Sequence, residues 1–382
     1  MEPIYLDHAA TTPVHPDVWE AMLPFYTANY GNPSSTHSFG RAARTALNRF
    51  RDGMARALGC LPSELVFTSG GTESNNMAIF GIMDGRQPGK KHVITTMIEH
   101  HAVLHPCEHL ESLGFEVTYL PVGPSGLVQV NDVEAAIRPE TALISMMYVN
   151  NEVGTIQPIE QVGRLARKHG IPFHVDAVQA LGKLPLDLAQ LPVDVMSLSA
   201  HKIYGPKGAG ALYVSKHTRL LPHVFGGSQE RKRRAGTENV AAIAGFARAV
   251  ERILPLREES YKHASELRHL MIATLEKQLG SDAIVINGDQ EQCVPHILNI
   301  SFPGISTETL LMNLDLADVA AASGSACTSG SLEVSHVLRA MQLPENVTHS
   351  AVRFSFGMGN SREQIETAAH KVATIIQRLR TK

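Results

Sequence analysis

Short apolar runs recur along the first two thirds of the chain, and each stops abruptly at a polar or glycine-rich turn. They fall at Glu64–Thr68, His92–Met97, Glu116–Pro121, Ala142–Asn150, Pro172–Asp176, Val195–Ser199 and Gly210–Val214. Runs of this kind read as strands buried on both faces, since a strand with one wet face would alternate. Stretches of helical periodicity separate most of them, among them Glu73–Met83, Val103–Leu113 and Ile159–His169, and two helices are predicted ahead of the first strand, at Pro16–Tyr26 and Ser38–Leu58. Alternating strands and helices predict an α/β fold: a mostly parallel, seven-stranded sheet covered by helices, with its ligand at the carboxyl ends of the strands.

The pattern changes near Ile253–Glu258. A long helical stretch, Glu259–Leu279, leads to strands at Ala283–Asn287 and Ile297–Phe302, a helix near Ser306–Leu314, a strand at Val352–Phe356 and a last helix. That helix has Ser361 as N-cap and Gln364 as its capping-box partner, with Ile365, Ala369, Val372, Ile376 and Leu379 on one face. This predicts a second, smaller α+β domain. No internal repeat or low-complexity linker interrupts the chain.

Composition narrows the class. A chain of 382 residues with 43% hydrophobic content is long enough for two or three cores. A net charge of −3 offers nothing to nucleic acid or an anionic membrane as a general partner. The run Arg231-Lys232-Arg233-Arg234 has no aromatic platform beside it, so an interface or a contact with a partner protein is expected there rather than RNA. With no signal-like start and no run long enough to span a bilayer, a cytoplasmic protein is expected. Its four cysteines are widely spread and form no C-x-x-C pair, which argues against a disulfide framework and a thiolate metal site.

The candidate chemistry gathers where the strands end. The run Val195–Ser199 stops at Ser199, His201 and Lys202, and the preceding strand, in IPFHVDAVQ, ends at Asp176. A lysine ending one strand and a carboxylate ending the next suit the aldehyde and the pyridine nitrogen of pyridoxal phosphate (PLP); on its own, such a lysine is more often a surface residue in a turn. TSGGTES follows a strand and opens a helix, so backbone N–H groups near Gly70, Gly71 and Thr72 can cradle a phosphate, or simply make a turn. His100 follows HVITTMIE at the right end of its strand to meet such a ring. His101, His105, Cys107 and His109 crowd the next segment, with His101 and His105 at the i, i+4 spacing of a metal pair. Pro106 is expected to interrupt that helix and no further ligand is evident, so no metal is predicted. Cys327, in AASGSACTSGS, is framed by small residues and reads as a nucleophile on a loop. Cys60, Cys107 and Cys293 read as structural.

These stretches carry a resemblance. YLDHAATTP, GNPSSTH, TSGGTESNN, EHHAV, VNNEVG, VDAVQ, SAHKIYGPKG, RRAGTEN and SGSACTSGS occur in the order found in cysteine desulfurases of the NifS/IscS type, in the class V aminotransferase family of fold-type I PLP enzymes. The resemblance spans nearly the whole chain. It implies a large domain over 14–254 and a small one from 1–13 and 255–382 carrying the cysteine loop. It also implies that Lys202 carries PLP as a Schiff base, Asp176 binds the pyridine nitrogen, Gln179 lies at the ring oxygen, and Asn151 lies near the ring hydroxyl and the substrate carboxylate. His100 would stack on the ring and move protons. Thr72, Ser199 and His201 would hold the phosphate, with Thr237 reaching it from the second subunit of a homodimer. Arg353 would bind the carboxylate of the substrate, L-cysteine, and Cys327 would take its sulfur as a persulfide. The spacing from Cys327 to SLEVSHVLRAM resembles the branch that hands sulfur to partners, such as an iron–sulfur scaffold or a tRNA-thiolation enzyme. A selenocysteine lyase or an aminotransferase would need Lys202 but not Cys327, and a non-catalytic sulfur-transfer scaffold would need neither.

Overall fold

The protein's computed structural model describes residues 3–324 and 334–381. Cys327 lies outside them.

The strands, in chain order, are β1 (Ile4–Tyr5), β2 (Leu65–Thr68), β3 (His92–Thr96), β4 (Glu116–Leu120), β5 (Thr141–Met147), β6 (Phe173–Asp176), β7 (Val195–Ser199), β8 (Gly210–Val214), β9 (Val285–Asn287), β10 (Ile297–Ser301), β11 (Val319–Ala320) and β12 (Ala351–Ser355). Seven of them form one sheet in the order β2-β8-β7-β6-β5-β3-β4. All its neighbours are parallel except β8, which runs antiparallel to both β2 and β7. Every residue of β2, β3, β5, β6, β7 and β8 is buried, as unbroken apolar runs require when helices cover both faces.

Two polar residues inside this sheet have their hydrogen bonds met by hydroxyls on neighbouring strands. His174 on β6 lies between Ser145 Oγ on β5, 2.8 Å from Nδ1, and Ser197 Oγ on β7, 3.0 Å from Nε2. His92 on β3 is held likewise by Thr141 at 2.9 Å and Thr118 at 2.8 Å. Burial keeps both neutral, lowering the His174 pKa to about 3 and that of His92 to about 4.

β9, β10 and β12 make an antiparallel sheet with β10 in the middle. The helices Arg257–Leu279 and Arg362–Arg380 pack on each other and share a core with it that includes Leu267, Met271, Leu298, Phe354 and Ile376. Ile4 and Leu6 belong to this same core, and β1 pairs in parallel with β11. The capping box at Ser361 is present: its hydroxyl accepts Gln364 N–H at 3.1 Å and Gln364 Oε1 accepts Ser361 N–H at 3.1 Å.

Two helix expectations are corrected. Pro16–Tyr26 is two helices, Pro16–Met22 and Pro24–Thr27, because Pro24 has no N–H to continue the first and serves as the first residue of the next. Pro106 does not interrupt its helix, which runs through His101–Ser112 with the proline inside. At its sixth position the proline lacks the N–H that would bond the Ala102 carbonyl and its ring crowds that carbonyl, a cost that the buried packing of Val103, Cys107 and Leu110 outweighs.

Candidate active site at the carboxyl ends of the sheet

Five strands of the large sheet end around one cavity of about 270 Å³. Gly71 and Thr72 follow β2, His100 follows β3, Asn151 follows β5, Asp176 ends β6 with Gln179 just beyond, and β7 delivers Ser199, His201 and Lys202; all line the cavity. Arg353 reaches it from β12. An apolar strand that stops at a polar residue leaves that residue at the sheet's edge, which is why one side of the sheet collects them.

The helix Gly71–Gly85 starts at the cavity, where its unpaired N–H groups favour an anion. Glycine is required at residue 71, since a Cβ there would lie 2.7 Å from Val178 Cγ2. Another close approach lies behind it: a Cβ on Gly210, at the start of β8, would come within 2.6–2.8 Å of the Gly70 backbone. Asp176 is held on both oxygens, Oδ1 by Val178 N–H at 3.0 Å and Oδ2 by Asn75 Nδ2 at 2.7 Å. Lys202 Nζ donates to the carbonyls of Ala9 at 2.5 Å and Ala10 at 2.7 Å, and Gln179 Nε2 also donates to Ala9 O, at 2.9 Å. The N-terminal strip therefore forms one wall.

His100 caps the helix His101–Ser112, its Nδ1 accepting Ala102 N–H at 3.0 Å. An accepting Nδ1 places the ring proton on Nε2. Burial lowers the His100 pKa, helped by the positive charge of Lys202 and opposed by Asp176. His201 is brought down to about 4, first by burial and then by Lys202 and Lys207, and its Nδ1 lies 3.1 Å from Thr11 Oγ1. Beneath the site, burial pushes Glu99 up to about 8; its Oε1 accepts from Thr96 Oγ1 at 2.7 Å and from Met147 N–H at 2.9 Å. Arg353 is 1% exposed, its Nη1 donating to Asn151 O and its Nη2 to Asp7 Oδ1, each at 2.8 Å.

Thr237 is the described candidate that the chain does not bring to the cavity. It lines a separate hollow of about 180 Å³ with Phe67, Ser69, Arg234 and Glu238. The basic run before it is engaged locally: Arg234 Nε bonds Glu73 Oε1 at 2.7 Å, while Arg231 and Arg233 donate to the carbonyls of Pro62 and Ser63 at 3.3 Å. His101, His105 and His109 line an outer hollow of about 610 Å³ that shares Thr72, His100 and Ala102 with the main cavity. Among the described residues no three histidine, cysteine or acidic side chains are grouped to hold a metal ion.

Sequence reasoning missed Asn75, Ala9, Ala10 and Met147, which also line the cavity. Asn75 was findable, because it stands three residues after Thr72 in a helix and so shares its face. The backbone carbonyls of Ala9 and Ala10 leave no such trace.

This architecture and its site define a class. The Aminotransferase class-V family matches residues 4–367, and the chain belongs to that family, in its cysteine desulfurase branch of the NifS/IscS type. It is 49% identical over 381 residues to the putative cysteine desulfurase IscS 1 of Bacillus subtilis (strain 168), covering 99% of this chain and 100% of that one. Among solved structures, a NifS-like protein matches with a TM-score of 0.92 at 37% identity, covering 98% of this chain and 99% of that one. SspA, solved in complex with cysteine, matches with a TM-score of 0.81 at 38% identity over 92% of this chain and 98% of its own. Among the described residues no helix is long and apolar enough to cross a membrane.

Proposed function

We propose that the protein is a PLP-dependent cysteine desulfurase that converts L-cysteine to L-alanine and keeps the sulfur as a persulfide on Cys327. The observation that carries this reading is the convergence of Lys202, Asp176 and Arg353 on one cavity. An amine, a fixed carboxylate and a guanidinium are what an amino-acid substrate and PLP need together.

The residues present fit PLP. Ser199 Oγ is buried and has no hydrogen-bond partner, and it faces the same cavity as Thr72, His201 and the start of the helix Gly71–Gly85. A buried hydroxyl left unpaired beside a helix N-terminus suits a phosphate. Asp176, pinned by Asn75 and Val178, would hold the pyridine nitrogen. When bound, PLP supplies a sink for the electron pair released at the substrate's α-carbon.

The chain's own residues do the rest. Arg353 binds the substrate carboxylate through its planar fork. Lys202 takes the α-proton. His100, neutral with its proton on Nε2, donates to or accepts from the reacting sulfur. Cys327 attacks that sulfur: an S–S bond forms, the Cβ–S bond breaks, and the pair left on Cβ takes up a proton to become the methyl group of alanine. Overall, one Cys327 thiol and one L-cysteine give one persulfide and one L-alanine.

The other three of the four cysteines are poor nucleophiles, which supports this choice. Burial pushes the Cys60 thiol up to about 12, and raises those of Cys107 and Cys293 as well. The similarity to a protein solved with cysteine supports the substrate.

A homodimer belongs to the same reading. Thr237 stands apart from the cavity of its own chain, where a second copy would meet it. Tyr30 and Phe39, their rings 5.7 Å apart, are 66% and 51% exposed, and Phe225 is 82% exposed, surface that a partner copy would cover. The persulfide would pass to an acceptor such as an iron–sulfur scaffold or a tRNA-thiolation enzyme.

Incubating the purified protein with L-cysteine, with and without a reductant, tests the reaction. With L-cysteine kept to one equivalent per site, so that its own thiol does not reduce the persulfide, alanine should form in both, sulfide only with reductant, and mass spectrometry should find one added sulfur on the Cys327 peptide. Normal alanine production by Cys327→Ser, or sulfur on Cys60, Cys107 or Cys293, would refute the assignment.

A further inference from the structure

We infer that Glu152 is the positioning residue for the sulfur-accepting stretch: its carboxylate accepts a hydrogen bond from Ser335 on the far side of residues 325–333 and packs closely against Gly324 on the near side. This rests on the reading of Cys327 as the sulfur acceptor. Glu152 follows Asn151 in the wall of the site, yet it is 1% exposed and does not line the cavity.

Its backbone is fixed from two directions. The N–H donates to Asn150 Oδ1 at 2.9 Å, and Asn150 in turn donates from Nδ2 to Ile98 O at 3.1 Å, beside the His100 turn. The Glu152 carbonyl accepts Asn299 Nδ2 at 3.2 Å, from the middle strand of the small sheet. A residue tied to both sheets delivers its carboxylate to a set place.

Both ends of the stretch meet at that place. On the far side, Ser335 donates from Oγ to Glu152 Oε2 at 2.5 Å. The same Oγ accepts the N–H groups of Val337 at 3.1 Å and Leu338 at 3.2 Å, as cap of the helix His336–Ala340. With both lone pairs used on the helix, its one proton is left for the carboxylate. On the near side stands Gly324, where a Cβ would come 3.1 Å from Oε2 and 3.4 Å from Oε1. A side chain at this position would crowd the carboxylate and push it aside by a few tenths of an ångström. A second tie secures the far end to the catalytic turn, where His336 Nε2 lies 2.9 Å from the carbonyl of Glu99, the peptide just before His100.

The chemical reason for such a fixture lies in the attack itself. A thiolate must reach the substrate's sulfur in line with the bond being broken, and a misplacement of about 1 Å can cost on the order of a hundredfold in rate. Glu152 touches neither cofactor nor substrate in this role. It sets where the acceptor's two stems begin.

The test uses the holoenzyme of Ser335→Ala, Ser335→Thr, Gly324→Ala and Glu152→Gln, with Cys327→Ser alongside. Cofactor absorbance on mixing with L-cysteine reads substrate binding; rapid quenching and mass spectrometry read sulfur on the Cys327 peptide. Ser335→Ala and Gly324→Ala should bind L-cysteine within about twofold of the parent and form persulfide at least about tenfold more slowly, while Ser335→Thr, which keeps the hydroxyl, restores the rate. Glu152→Gln, which keeps the shape but not the charge, should slow the same step and guards against a folding failure in the others. Unchanged persulfide rates, a loss of binding that parallels the loss of transfer, or failure of threonine to rescue would each overturn the inference. Cys327→Ser should bind L-cysteine and gain no sulfur whatever the other variants do, so a failure of the Glu152 assignment is told apart from a failure of the Cys327 reading. Should Cys327→Ser turn over normally, both fall together.

Discussion

Asn75 donates from Nδ2 to Oδ2 of Asp176 at 2.7 Å, within the protein interior, where the carboxylate can only accept. The amide is thereby oriented, and its Oδ1 is left buried without a partner. A carboxylate aimed by two donors holds a pyridine nitrogen in one direction rather than several. Hydrogen bonds to charged groups contribute about 1.5–3 kcal/mol, so Asn75→Ala should weaken PLP binding by roughly tenfold or more. Titration of the apoprotein with PLP, followed by absorbance, checks this; an unchanged dissociation constant would show that Val178 N–H alone suffices.

Arg353 has one Nη on Asn151 O and the other on Asp7 Oδ1, which leaves the planar fork rigid within a buried wall. Lysine cannot make both bonds from one nitrogen at this geometry. Arg353→Lys should raise KM for L-cysteine by about tenfold or more, with a smaller effect on kcat, because the carboxylate contact is made in ground and transition states alike. Steady-state kinetics decide it: a fall in kcat with KM unchanged would place the arginine's contribution in the chemical step instead.

Much of this site was legible in the sequence, for a physical reason. β6 and β7 are unbroken apolar runs that end in Asp176 and in Ser199, His201 and Lys202, so the pattern itself locates the sheet's functional edge. What the pattern did not give are contacts between segments far apart in the chain. The carbonyls of Ala9 and Ala10 meet Lys202 because β1 pairs with β11, and no local periodicity encodes that pairing. The first half of the helix Val240–Ile253 has no polar residue to mark a face, since Val240–Phe246 are all buried. Pro106 misled because a proline's cost is local, while the helix around it is held by packing of Val103, Cys107 and Leu110 in the core.

Arg51 and Glu230 form a buried pair that finishes the β2 edge of the large sheet. β2 ends the large sheet, and its free Phe67 N–H donates to Glu230 Oε2 at 2.9 Å while its Leu65 carbonyl accepts Arg51 Nη1 at 2.7 Å. The two side chains bond each other at 2.5 and 2.9 Å, with the guanidinium 4.5 Å from the Phe67 ring centroid. Glu230, Arg231 and Lys232 take φ of 45°, 57° and 63°, a left-handed run of non-glycine residues that costs about 1–2 kcal/mol each and needs such an anchor. Removing one partner of a buried pair costs about 3–5 kcal/mol, so Arg51→Ala should lower stability by that amount. Urea unfolding measures it, and a loss under about 1 kcal/mol would mean that water replaces the arginine at the edge.

Glu99 and His174 should give the stability opposite pH limbs. The Glu99 pKa is raised from its usual 4.5 to about 8 by burial, so between those values the folded protein holds a proton that the unfolded chain releases, and stability falls as pH rises. His174 is lowered from 6.5 to about 3, so below 6.5 the unfolded chain takes up a proton that the folded one refuses, and stability falls as pH drops. Each group contributes a slope approaching about 1.4 kcal/mol per pH unit inside its window. Glu99→Gln isolates the first limb, because an amide reproduces the protonated carboxyl: its oxygen can accept from Thr96 and Met147, and its NH₂ stands where the acid would hold its proton. Urea midpoints of parent and variant should therefore run together at pH 4 and diverge toward pH 8, with the variant the more stable. Parallel profiles across that range would mean that Glu99 ionises freely in the folded protein, and that its burial is relieved by a partner other than a proton.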